Sequence, residues 1–222
     1  MVESHCAVSA LNLRFFQDYA YATDKKVDLN SFSIKKHQVD NLLPMQVVSC
    51  GPDLKEQNLK QTYIKLIYMA KKRIWIQTPY YIPDEAFQGA IKSAINSGVD
   101  VRIMIPGVPD KKLVYYATKS YVADLVKAGA KVYFHPKFLH SKTLLIDDEI
   151  SSIGTFNLDI RSFQFHFELT NFMYGREFGL TSQNIFLADQ SVSRQWTKQD
   201  VKNRTKRERF LEYIMRLFSP LL

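Results

Sequence analysis

Between Arg73 and Phe134 the chain alternates short apolar runs with longer stretches of helical period, and that rhythm restricts the fold more than any other feature. Arg73 to Gln77 reads as a buried strand. Asp84 is placed to cap a helix running to about Asn96, which Gly98 stops. Val99, Val101, Ile103 and Ile105 then alternate with more polar neighbours, the pattern of a second strand. A loop from Pro106 to Asp110 leads to a helix over Lys112 to Ala128, punctuated by Gly129, and Lys131 to Phe134 reads as a third strand. Strands separated by helices of roughly a dozen residues or more imply an α/β layered domain. Strand-like text after residue 130 is closely spaced, so the sheet is expected to be mixed. Hydrophobic residues make up 46% of the chain, enough for a substantial core.

The flanks extend this frame. Residues 1–10 read as irregular, and Leu11 to Ala22 as an amphipathic helix with Leu11, Phe15, Tyr19 and Ala22 on its apolar face. The polar, charged stretch 23–44 reads as a mobile connector. The expected division is therefore a helix and connector over 1–44 and one catalytic domain over 45–222. Within that domain, Met45 to Cys50 is a strand ended by Gly51-Pro52. Glu56 to Lys71 is a helix with Leu59, Tyr63, Leu66, Ile67 and Ala70 on one face. Further on, Phe163 to Tyr174 reads as one long strand, with helices expected over Leu180 to Gln195 and Lys206 to Phe218. Cys6 and Cys50 form neither a disulfide framework nor a metal spacing, and Cys50, closing an apolar run, reads as a buried structural thiol.

Chemistry concentrates in residues 138–175. Two positions separate His140 from Lys142, which on a strand puts both side chains on one face. Thr143 to Ile146 is apolar and β-branched, a buried strand ending at Asp147. A second strand, Ile150 to Ile153, leads into a turn over Gly154 to Asn157. An imidazole beside an ammonium, with an amide brought near by a turn, suits a phosphate: Lys142 and Asn157 would hold non-bridging oxygens, and His140 would attack phosphorus or move a proton. Asp147 lies five positions beyond Lys142, on the opposite face by strand alternation, so a structural or orienting role is favoured over direct catalysis. His135 and Lys137 repeat the His-x-Lys spacing, but position 142 holds Lys where the motif needs Asp, and that pair is set aside. The Gly107 segment fits no phosphate-binding loop.

The pattern His140-x-Lys142-x-x-x-x-Asp147, followed by Gly154-x-x-Asn157, resembles the signature of the phospholipase D superfamily. Asn157-Leu-Asp-Ile-Arg-Ser-Phe163, Phe167-Glu168, the Thr78-Pro-Tyr-Tyr-Ile-Pro83 loop, Gly51-Pro52 and Ser219-Pro-Leu-Leu222 are similar to bacterial cardiolipin synthases, specifically to the C-terminal half of that family. The resemblance implies a phospholipase D-like α/β/α sandwich with a mixed sheet, one half of a two-lobed enzyme. It implies that two phosphatidylglycerol molecules become cardiolipin and glycerol through a phosphohistidine. In a second half, His140 would be the general acid and base. In a symmetric dimer, one copy of His140 would be the nucleophile and the other the acid. No cofactor or metal is called for, because the cations are built in. Glu168 matches the carboxylate that orients the motif histidine. Its place among Phe163, Phe165, Phe167, Leu169 and Phe172 demands a partner.

Other residues carry two readings each. Tyr80 and Tyr81 follow a strand on a loop of the kind that lines α/β sites, so a substrate pocket stands beside plain packing. Arg161 suits a lipid phosphate or an internal ion pair. His166 shares its spacing with Glu168 and reads as structural. Arg207, Arg209 and Arg216 beside Phe210, Leu211, Ile214, Leu217 and Phe218 suit an anionic membrane, but packing on the domain is the favoured reading.

A net charge of +8 points to an anionic partner. That partner is expected to be phosphatidylglycerol in a bacterial membrane surface, met peripherally because no apolar run is long enough to span a bilayer. Nucleic acid is the less favoured anion. The similarity already begins near Asn12, as though Met1 lay within a longer frame, and the missing motif would come from another part of the same gene or a homodimer mate. Two other functions remain open: a dimeric nuclease or phosphodiesterase of the same superfamily, and an inactive remnant that binds anionic lipid.

Overall fold

The computed structural model describes residues 4–26, 43–54 and 56–221. In chain order the elements are α1 (His5–Thr23), β1 (Met45–Cys50), α2 (Asn58–Met69), β2 (Arg73–Gln77), β3 (Tyr81–Ile82), α3 (Glu85–Asn96), β4 (Asp100–Pro106), α4 (Lys112–Ala128) and β5 (Lys131–His135). There follow β6 (Thr143–Ile146), β7 (Ile150–Gly154), β8 (Leu158–Asp159), α5 (Ile160–Gln164), β9 (Glu168–Tyr174) and α6 (Arg176–Val192). The chain ends with β10 (Arg194–Trp196), α7 (Lys198–Lys202), α8 (Lys206–Leu217) and a 3-10 turn, Ser219–Leu221.

Eight strands form one sheet in the order β1-β9-β7-β6-β2-β4-β5-β10. β2, β4 and β5 run parallel, as their helical crossovers require, and the other neighbours pair antiparallel. The sheet is therefore mixed, as expected. Side-chain parity splits the core between its two faces. Ile74, Ile76, Val101, Ile103, Ile105, Val132, Leu144 and Ile146 join the main cluster, which α2, α3 and α4 supply with Leu59, Phe87, Ile91 and Leu125. The alternate residues Trp75, Met104, Tyr133 and Leu145 meet Phe186 of α6 on the other face. The result is an α/β/α sandwich.

Local chemistry explains the element ends. Asp84 caps α3 by accepting the Phe87 N–H at 2.9 Å, and Gly129 takes a positive φ of 120° after α4. Cys50 is buried as expected, its thiol donating to the Ser162 carbonyl at 3.9 Å, and burial pushes its pKa up to about 12.

Two expectations are corrected, and two elements had no sequence signal. The first helix begins at His5 rather than Leu11, and Phe15 and Tyr19 of the expected apolar face are exposed while α1 packs on β1. The long strand from Phe163 is instead the short helix α5, a bend and β9. The alternating Phe163, Phe165 and Phe167 mimic a strand, but Asp159 accepts the Ser162 N–H at 2.7 Å and starts a helical turn. Finally, β10 and α7 are too short to leave a periodic signal. Of the expected connector, residues 27–42 lie outside the described residues.

Candidate active site

His140 and Lys142 do not lie on a strand, as the spacing suggested, but in the extended segment that enters β6. They still converge, with the Lys142 ammonium donating to His140 Nε2 at 2.8 Å and to the His140 carbonyl at 3.2 Å. A lysine ammonium only donates, so Nε2 is the acceptor in this contact. Phe138 stacks on the imidazole, with centroids 5.7 Å apart. The start of β6 is tied down because Thr143 Oγ1 donates to Gln77 Oε1 at 3.1 Å and Gln77 Nε2 donates to Asp189 at 2.6 Å. Burial lowers the Lys142 pKa, and the carboxylates of Glu168 and Asp159 oppose that shift.

The β6–β7 hairpin returns the chain to the same place. The Gly154 N–H donates to the Lys142 carbonyl at 3.3 Å, which fixes the start of the second motif turn beside the first motif. A Cβ on Gly154 would lie 2.3 Å from the Leu169 carbonyl oxygen, so only glycine fits. The Thr155 N–H donates to that same carbonyl at 2.9 Å, and the Thr155 hydroxyl accepts the Leu169 N–H at 3.0 Å. Phe156 is buried beneath the turn, stacked on Phe163 at 5.2 Å. Asn157 thus reaches a pocket of ≈ 140 Å³ that also involves Tyr80, Lys111, Asp159, Arg161 and His166. Its Oδ1 is buried without a hydrogen-bond partner.

Carboxylates line the rear. Burial raises the pKa of Asp159, against hydrogen bonds from Ser162 that lower it. Burial likewise raises that of Glu168, against hydrogen bonds from Thr155 and Ser162. The expected contact between Glu168 and His140 is not what forms. Glu168 instead faces His166, whose Nδ1 lies 3.7 Å from the carboxylate and 3.4 Å from Ser162 Oγ.

The remaining candidates separate. Tyr80 lines the pocket and donates its hydroxyl to Asp110. Tyr81 corrects the pocket reading: it is wholly buried, with its hydroxyl donated to Gln88 at 2.9 Å. Arg161 is exposed at the pocket rim. Asp147 lies beyond β6 from His140 and Lys142, in the hairpin turn with a positive φ of 53°. It accepts the backbone N–H groups of Lys71, Lys72 and Arg73 at 2.7, 2.7 and 2.8 Å. The carboxylate is engaged in joining the hairpin to β2 rather than in contact with His140 or Lys142. His166 and Lys111 are the pocket residues that the sequence reading undervalued. The His166-x-Glu168 spacing was the available signal for one, while nothing in the sequence marked Lys111.

A family model described as "Cardiolipin synthase, PLD-like domain" matches residues 63–190. A cardiolipin synthase of Clostridium perfringens is 41% identical over 97% of this chain, and one of Oceanobacillus iheyensis is 42% identical over 97%. This chain covers 47% and 45% of those proteins, so it spans about half the length of the curated relatives it matches. Two solved structures share the fold. A phosphatidylserine synthase of Haemophilus influenzae superposes with a TM-score of 0.62 at 17% identity, covering 85% of this chain and 48% of that one. Nuc of Salmonella typhimurium, described as a phospholipase D family member, gives 0.58 at 19% identity, covering 70% and 99%. The chain belongs to the cardiolipin synthase family of phospholipase D-like domains.

Proposed function

We propose that this chain supplies one half of a phosphatidyltransferase site that converts two phosphatidylglycerol molecules into cardiolipin and glycerol. The observation that carries the reading is the pair His140 Nε2 and Lys142 Nζ, 2.8 Å apart, held by Gly154 beside the turn that brings Asn157 to the pocket. The relatives named for cardiolipin synthesis support the lipid substrate.

The chemistry follows from the groups present. A histidine contributed by the complementary half attacks the donor phosphorus, forming a P–N bond as the P–O bond to glycerol breaks. Protonated His140 delivers its proton to the departing glycerol oxygen. The acceptor's glycerol hydroxyl then returns a proton to His140, while its oxygen attacks phosphorus and frees the first histidine. Lys142 turns from the imidazole to a non-bridging oxygen, where charge accumulates, and Asn157 holds the phosphoryl group with it. Arg161 and Lys111 offer cations to the second lipid phosphate. Glu168 acts through His166 on the pocket wall. The reaction takes place at an anionic bacterial membrane surface; no helix among the described residues is long and apolar enough to cross a bilayer.

The test is cardiolipin formation from phosphatidylglycerol with the complementary half supplied. His140→Ala and Lys142→Ala are each expected to lower the rate by roughly a hundredfold or more. A His140→Ala protein that turns over at the parent rate would overturn the assignment.

A further inference from the structure

Helix α8 is held inward by charge as well as by Met215, which packs on the main core. Its inward face carries Glu212, 2% exposed. That carboxylate pairs with Arg204 and lies 3.6 Å from the Lys119 ammonium of α4. Arg216 adds a bond to Asp124 at 2.7 Å and lies over the Tyr121 ring at 4.3 Å. The ionic clamp turns the opposite face outward, and Phe210, Tyr213 and Leu217 on it are 63, 63 and 62% exposed. Their spacing of three and four residues makes one continuous stripe. The packing expected for this helix is therefore only half met, because its apolar stripe is left without a partner among the described residues.

We propose that this stripe is a docking surface for an anionic lipid bilayer. Charge decides among occupants. The exposed residues flanking the stripe at its N-terminal end are Lys206, Arg207 and Arg209. Both carboxylates of the helix are already engaged: Glu208 accepts from Thr205 and neighbours Lys119, and Glu212 is clamped inside. A second copy would bring cations and an apolar stripe but no free carboxylate from α8 to meet them. Anionic headgroups over an acyl interior match both parts. The Ser219–Leu221 turn after α8 packs on α5, the helix that carries Arg161.

Docking requires no turnover, so the test is independent of the site. The 222-residue chain is sedimented with vesicles of phosphatidylcholine alone, or of phosphatidylcholine mixed with phosphatidylglycerol. Binding to the anionic vesicles is expected, unchanged by His140→Ala. The double substitutions Phe210→Ser with Leu217→Ser, and Arg207→Glu with Arg209→Glu, should each weaken it by about tenfold or more. In a Phe210→Trp protein, the emission should shift to the blue on anionic vesicles. Parent-level binding by both double variants, or no emission shift in the Trp protein, would overturn the proposal. So would a dimer in solution that Phe210→Ser with Leu217→Ser dissolves while vesicle binding persists, since that outcome assigns the stripe to a second copy.

Discussion

At the scale of single residues, two carboxylates of the motif region illustrate how one chemical group takes different tasks. Asp147 accepts with its two oxygens from three backbone N–H groups, two in the connection after α2 and one at the start of β2. Removing a charged acceptor from three donors costs roughly 2–3 kcal/mol. Asp147→Ala should therefore lower the urea midpoint by a corresponding amount, and an unchanged midpoint would deny it the structural task. Glu168 behaves in the opposite sense. Burial raises its folded pKa above the unfolded value, so over the interval between them the folded protein keeps a proton that the unfolded chain has released. This carboxylate's contribution to stability therefore falls as pH rises through that interval. Glu168→Gln should flatten the decline of melting temperature between acidic and neutral pH. Parallel curves for the two proteins would show that another group dominates. Strand parity was the argument that separated Asp147 from His140 and Lys142 and aligned His166 with Glu168, yet His140, Lys142 and His166 all lie outside β6 and β9. Their actual neighbours depend on the segment that enters β6 and on the bend at residues 165–167, neither of which leaves a periodic signal.

Elements whose ends are set by local chemistry were legible in advance. Asp84 and Gly129 mark α3 and α4, and the strand β2 follows directly from its apolar run. Elements set by tertiary contact were not. β10 holds three residues and gains its place by pairing with β5, and α5 overrides an alternating phenylalanine pattern through one side-chain cap. The motif turn depends on a close approach that only a structure reveals, although the glycine itself was visible. With backbone atoms of Leu169 and Thr170 at 2.3 and 2.6 Å from its would-be Cβ, Gly154→Ala must push β7 away from β9. The expected cost is about 2 kcal/mol or more, with loss of transfer activity because Lys142 and Asn157 are both referenced to this residue. A variant with parent stability and rate would show that the strands yield at little cost.

At the scale of the whole molecule, the fold is complete while the reaction proposed for it is not. The sandwich closes around its own core and brings His140, Lys142 and Asn157 to one side, yet a covalent route needs two imidazoles acting in turn on one phosphorus. The sequence holds a single complete motif, and this chain matches about half the length of its curated relatives. The two ways of supplying a second imidazole make different demands. A second copy makes specific activity rise with chain concentration and lets His140→Ala chains suppress the parent in mixtures. A complementary half gives activity at a fixed ratio and is indifferent to dilution once joined. We expect the second behaviour, because relatives more than 40% identical to this chain continue for as much again beyond the matched region. Joining this chain behind the unmatched half of such a relative should produce cardiolipin from phosphatidylglycerol, and the joined protein carrying His140→Ala should not. Activity of the isolated chain that grows with its own concentration would reverse the expectation and place two copies of His140 across one site.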